Sequence, residues 1–76
     1  MLEFIHEILG VPYTIMIGTR EEIELDEDRF GECREYSKVI KICTDVEDFT
    51  EEEMKVRVEE TIAHELLHGY FAEART

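Results

Sequence analysis

The sequence predicts an α+β domain: a small, mostly antiparallel sheet packed on one long C-terminal helix. Three observations predict it. Short β-prone runs separated by turn residues fill residues 2–43. No Pro or Gly interrupts the chain between Thr50 and Gly69. A Thr-x-x-Glu capping signal stands at the head of that uninterrupted run. With 76 residues, the chain reads as a single domain over 1–76. A core of that size is modest and gains from a metal, a partner or more chain.

The first run, "LEFIHEIL" at residues 2–9, reads two ways. Leu2, Ile5 and Leu9 would share a helical face; Phe4, His6 and Ile8 would share a strand face. So short a helix is marginal, which favours a strand over 3–9. Gly10 and Pro12 then punctuate the chain, and Tyr13, Ile15 and Ile17 alternate with Thr14, Met16 and Gly18. This predicts a strand over 12–18 and a hairpin turning at Gly10-Val11. Residues 20–32 are mostly charged and read as an exposed loop or an edge strand guarded by its charges. In "CREYSKVIKICT" two β-prone runs flank Ser37-Lys38, predicting strands over 32–36 and 38–43 in a second hairpin. Centred near Lys38, it would place Cys33 opposite Cys43, either as a cross-strand disulfide or as two small apolar residues.

The helix is expected over 51–68, extending as far as 74. The Thr50 hydroxyl can accept from the Glu53 N–H while the Glu53 carboxylate reaches back to the Thr50 N–H. Glu51, Glu52 and Glu53 also suit the positive end of the helix dipole. At about 100° per residue, Ile62, Ala63, Leu66, Leu67 and Tyr70 share one broad side with Val56, which is expected to pack on the sheet. His64 and His68 lie about 40° apart along the border of that side, with Glu65 beside it.

Charge narrows the function classes. Asp and Glu number 20 against 8 Lys and Arg, a net charge of -12. Phosphate binding needs clustered cations, so direct contact with nucleic acid or an anionic membrane is not expected. No apolar run approaches the ~20 residues of a membrane span, and no basic signal-peptide region opens the chain. Cys33 and Cys43 stand ten apart, outside any zinc-ribbon spacing. Free thiols and a cytoplasmic location are the expectation.

The sharpest local signal is "ETIAHELLHGY" at residues 60–70. His64 and His68, at i and i+4, point the same way from one helix and so can bind one metal. Glu65, at i+1, is less well placed as a ligand but can take a proton from an attacking water. The motif therefore encodes two zinc ligands and a base on a rigid element. Leu66 and Leu67 fill its inner positions and its immediate flanks are uncharged, as a buried active-site helix requires.

This stretch resembles the active-site helix of the zincin metallopeptidases. With "ILGVPYTI", the acidic stretch, "GECREYSKVIKI" and "EETIAHELLHGYFAEA", the chain from about Ile8 to Ala74 resembles small metallopeptidase-like proteins of phages, prophages and mobile elements. The resemblance implies a strand hairpin before the motif helix and an edge strand over a substrate cleft. It also implies a Zn2+ cofactor held by His64 and His68, with Glu65 as general base in the hydrolysis of a peptide or protein substrate.

A third protein ligand is not evident. The metzincin extension would put Gly and His where this chain has Phe71 and Ala74. Glutamate-ligand zincins draw the third ligand from a following helix, which is not expected within residues 1–76. Glu73 falls about 180° from His64 on a continuous helix. His6, Cys33 and Cys43 have no supporting spacing, and Glu60, one turn before His64, is a candidate partner for a ligand histidine. A truncated form, a natural short form that binds zinc weakly or completes its site across a dimer, and a fold that has lost its chemistry all fit. An uncovered side of the helix would favour a homo-oligomer. The rival function is a small acidic, non-enzymatic binding or inhibitor protein that mimics nucleic-acid charge. Its features are the net charge and the acidic run Glu21–Asp28.

Overall fold

The computed structural model describes residues 1–46 and 49–75. Four strands and one helix follow in chain order: β1 Leu2–Ile8, β2 Val11–Gly18, β3 Gly31–Arg34, β4 Val39–Cys43 and α1 Glu51–Ala74. The strands form one sheet in the order β1-β2-β4-β3. The β1–β2 and β3–β4 pairs are antiparallel, and β2–β4 is parallel. The predicted α+β class, a mostly antiparallel sheet with a C-terminal helix, is the observed one. The connection from β2 carries the chain to the far edge, so the short, charged β3 lies outside and the apolar β4 inside.

The first hairpin turns through Leu9-Gly10, with φ of 50° and 84°, one residue before the expected Gly10-Val11, because Val11 already pairs with Ile8. Positive φ at both central residues matches the right-handed twist of the flanking strands. Leucine is a poor residue there, since its Cβ crowds the following carbonyl. Leu9→Asn, at an exposed position, is therefore expected to raise stability by about 0.5–1 kcal/mol in a urea titration.

The second hairpin corrects an expectation. Its register pairs Cys33 with Ile40 and Gly31 with Ile42, and the Cys43 N–H donates to the Phe30 carbonyl at 2.9 Å. Residues 35–38 form the turn, closed by Lys38 in the left-handed region at φ 58°. The hairpin centre thus falls before Ser37, and the two cysteines are not opposite each other. Both are free thiols, and they serve opposite faces of the sheet.

One face packs on α1 through Ile8, Tyr13, Ile15, Ile40 and Ile42. The other carries a smaller cluster of Ile23, Leu25 and Cys43, with Met16 and Val46 against it. The charged 20–32 region is thus more than an exposed loop or edge strand: it buries Ile23 and Leu25. Arg20 pins it by donating to the carbonyls of Asp26 and Arg29.

Helix α1 starts as expected. Thr50 Oγ1 accepts from the Glu53 N–H at 3.1 Å, and Glu53 Oε1 from the Thr50 N–H at 3.3 Å. Its buried face differs from the expected one. Thr61, Glu65, Gly69 and Ala72 are buried, with Val58, Ile62 and Leu66 partly so. Val56, Ala63, Leu67, Tyr70 and Phe71 face outward, Leu67 at 54% exposure. The helix lies on its small residues because they permit close approach: a Cβ on Gly69 would fall 2.6 Å from Ile8 Cδ1. The end of the helix is clamped to the sheet. Tyr13 Oη donates to Glu73 Oε2 at 2.5 Å, and Lys38 Nζ donates to the same oxygen at 2.7 Å. Among the described residues no helix is long and apolar enough to cross a membrane.

Candidate metal and catalytic site

The i, i+4 spacing brings His64 Nε2 and His68 Nε2 within 3.0 Å of each other. The rings meet edge-on, with centroids 4.6 Å apart. Tetrahedral zinc with Zn–N bonds of about 2.0–2.1 Å sets its two nitrogens roughly 3.3 Å apart. The pair therefore needs to open by only a few tenths of an ångström to accept the ion. Both rings are exposed on the flank of α1 that borders β3.

Glu65 points under the helix. It is 7% exposed and lies against Gly31 of the edge strand. A Cβ at Gly31 would come within 3.1 Å of Glu65 Cγ and 2.6 Å of Thr61 Cγ2. The bare glycine is what makes room for the carboxylate beside the strand. Burial pushes the Glu65 carboxyl above the ordinary glutamate value, opposed by the nearby His64, His68 and Arg29.

Two clefts meet at this point. One, of about 390 Å³, is bounded by Arg29, Phe30, Arg57, Thr61, His64 and Glu65. The other, of about 340 Å³, runs past Cys33, Glu35, His64, Glu65 and His68. His64 and Glu65 line both.

The remaining candidates separate. Among the described residues, no three of His, Cys, Asp and Glu converge as a metal-ligand group. His6 lies on β1, at the edge away from β3, over a small apolar hollow with Phe4 and Leu66. Cys43 is on the other face and donates to Asp45 Oδ1 at 3.0 Å. Cys33 does reach the second cleft, with its thiol pushed up by burial. Glu73 is engaged with Tyr13 and Lys38. Glu60 approaches Arg57, 4.0 Å away. The spacing of the histidine pair matches two ligand positions of a zinc ion, and no third is assembled among the described residues.

Sequence reasoning missed Gly31, Arg29, Phe30 and Arg57. For Arg57 a signal was present: Arg57, Thr61, His64 and His68 fall at i, i+4, i+7 and i+11, one polar stripe along the helix. Arg29 and Phe30 come from an irregular segment and carried no periodic signal. Scans of the chain against protein-family models, curated proteins and solved structures return no match.

Proposed function

We propose that the protein is a zincin-type metallopeptidase-like domain in which His64 and His68 hold zinc and Glu65 is the general base of peptide-bond hydrolysis. The observation that carries this reading is the pair of imidazole nitrogens 3.0 Å apart beside the buried Glu65, in one cleft. Zinc, when bound, supplies Lewis acidity toward a peptide carbonyl and water. The two histidines offer ring nitrogens from a rigid helix. Glu65 accepts the proton of the attacking water and returns it to the leaving amine. The free edge of β3 offers backbone groups to an extended peptide alongside Glu65.

Two histidines leave the other coordination positions open, so metal content is the decisive measurement. Elemental analysis after zinc loading and desalting is expected to give about one zinc per chain, lost in His64→Ala and His68→Ala. A wild-type content far below that, unchanged in both variants, would remove the reading.

A further inference from the structure

Two of the five arginines of this strongly acidic chain converge on the cleft shared by Glu65 and His64. Arg29 comes from the segment before β3, and Arg57 from the second turn of α1. Where arginines of this protein pair fully with carboxylates they do so at 2.9 Å, as Arg34 does with Glu32 and Arg75 with Glu35. The two in the cleft are different. Arg29 stands 3.8 Å from Asp26 and 3.9 Å from Glu32, and Arg57 stands 4.0 Å from Glu60. These separations exceed hydrogen-bond reach.

Arg57 is further set apart by its surroundings. Its guanidinium carbon lies 4.2 Å from the centroid of the Phe30 ring, which holds the planar group in place. Its Nε is buried, with no hydrogen-bond partner among the described residues. The side chain as a whole is 39% exposed and lines the cleft, so a carboxylate entering there meets the outer part of a guanidinium whose parallel N–H donors match two carboxylate oxygens.

We propose that Arg57, assisted by Arg29, forms a subsite for a carboxylate of the peptide substrate, so that the protein selects peptides that place a carboxylate there. The proposal builds on the peptidase reading above, since it places the carboxylate next to the scissile bond at Glu65. The net charge of -12 opposes such a substrate only at long range. At physiological ionic strength, charges beyond about 8 Å are largely screened, and direct contact with two guanidinium groups dominates. Glu60, loosely held by Arg57, is the group the substrate carboxylate displaces. The carboxylate comes either from an acidic side chain or from the peptide C-terminus, and the two are separable by experiment.

Three dye-labelled short peptides serve as probes: one with a single internal Glu and an amidated C-terminus, its Gln counterpart, and the Gln peptide with a free C-terminal carboxylate. Binding is read by fluorescence anisotropy on the chelator-treated full chain in about 0.15 M salt. One of the two carboxylate peptides is expected to bind about tenfold tighter than the uncharged one, and which of them does so identifies the source. Arg57→Gln is expected to erase that preference, Arg57→Lys to restore part of it, and Arg29→Gln to weaken it. Circular dichroism checks that each variant is folded. Should Arg57→Gln fail to fold, the exposed Arg29→Gln carries the test. Equal binding of all three peptides, or a preference unchanged in the folded arginine variants, overturns the subsite. Hydrolysis of the same peptides is followed separately with zinc supplied. A carboxylate preference without hydrolysis upholds the anion subsite and removes the peptidase reading. Hydrolysis without a carboxylate preference does the reverse.

Discussion

Replacing Glu65 with Gln in the zinc-loaded protein is expected to lower peptide hydrolysis by about 10²–10⁴-fold while leaving zinc content unchanged. Gln has the shape of Glu and fits beside Gly31, but it cannot take a proton from water. The same change is expected to keep or raise the melting temperature of the zinc-free protein at neutral pH. The reason is burial, which pushes the Glu65 carboxyl up and so penalises its ionised form. A carboxyl raised in the folded state contributes stability below its unfolded value and loses that contribution as pH rises through the folded value. The benefit of Gln is therefore largest where Glu65 is fully ionised. Together the two results separate a catalytic from a structural role. A residue kept for packing would cost stability when altered, whereas a base held in a partly dry pocket is retained against stability. Unchanged hydrolysis in Glu65→Gln would take the base role away from this residue.

Tyr13→Ala is expected to have the largest effect on folding. Tyr13 is fully buried, lies in the main core, and hydrogen-bonds Glu73 across the helix–sheet junction. Truncating a buried aromatic costs about 3–5 kcal/mol. A domain of 76 residues has roughly 4–11 kcal/mol in total, at about 0.05–0.15 kcal/mol per residue. The variant is therefore expected to be largely unfolded or close to it in urea titrations. Tyr13→Phe keeps the ring and leaves Glu73 with Lys38, so about 1 kcal/mol is the expected loss. If Phe were as damaging as Ala, the hydroxyl rather than the ring would be the main contributor.

The Glu73 carboxyl is held below the ordinary value of 4.5, first by the Lys38 ammonium and then by the Tyr13 hydroxyl. Its contribution is thus fully present above pH 4.5 and fades as pH falls through the lowered folded value. The stability gap between wild type and Glu73→Gln is expected to narrow over that acidic range. A gap that stays constant down to pH 3 would show that the charge of Glu73 is not involved.

Local signals in the sequence were reliable where local physics decides. The Thr50–Glu53 box, the alternation of residues 13–17 and the one-sided His64–His68 pair each depend on neighbours within a turn or two. What could not be read depended on distant contacts. The apolar count of α1 pointed to Leu67 and Tyr70 as core, yet the sheet chose the small-residue side. Gly69 in the middle of a helix was the available sign of such close approach. The parallel β2–β4 pairing and the burial of Ile23 and Leu25 arise from a connection that crosses to the far edge. Nothing periodic within residues 20–32 announces that path. The candidate site divides in the same way: the histidines and Glu65 were legible, while Gly31, Arg29 and Phe30 enter it only through tertiary structure.

The placement of Glu65 against Gly31 has a consequence for the newborn chain. The two hairpins close over short distances, whereas the helix returns over longer ones: Gly31 lies against Glu65, about 34 positions on, and Tyr13 and Glu73 are separated by 60 positions. Closing so long a loop is entropically unfavourable until its contacts form, so such contacts tend to form late. During synthesis α1 emerges after all four strands. The cleft beside Glu65 therefore comes into being with the docking of α1, and a partial detachment of that helix dismantles it and uncovers the apolar face of the sheet.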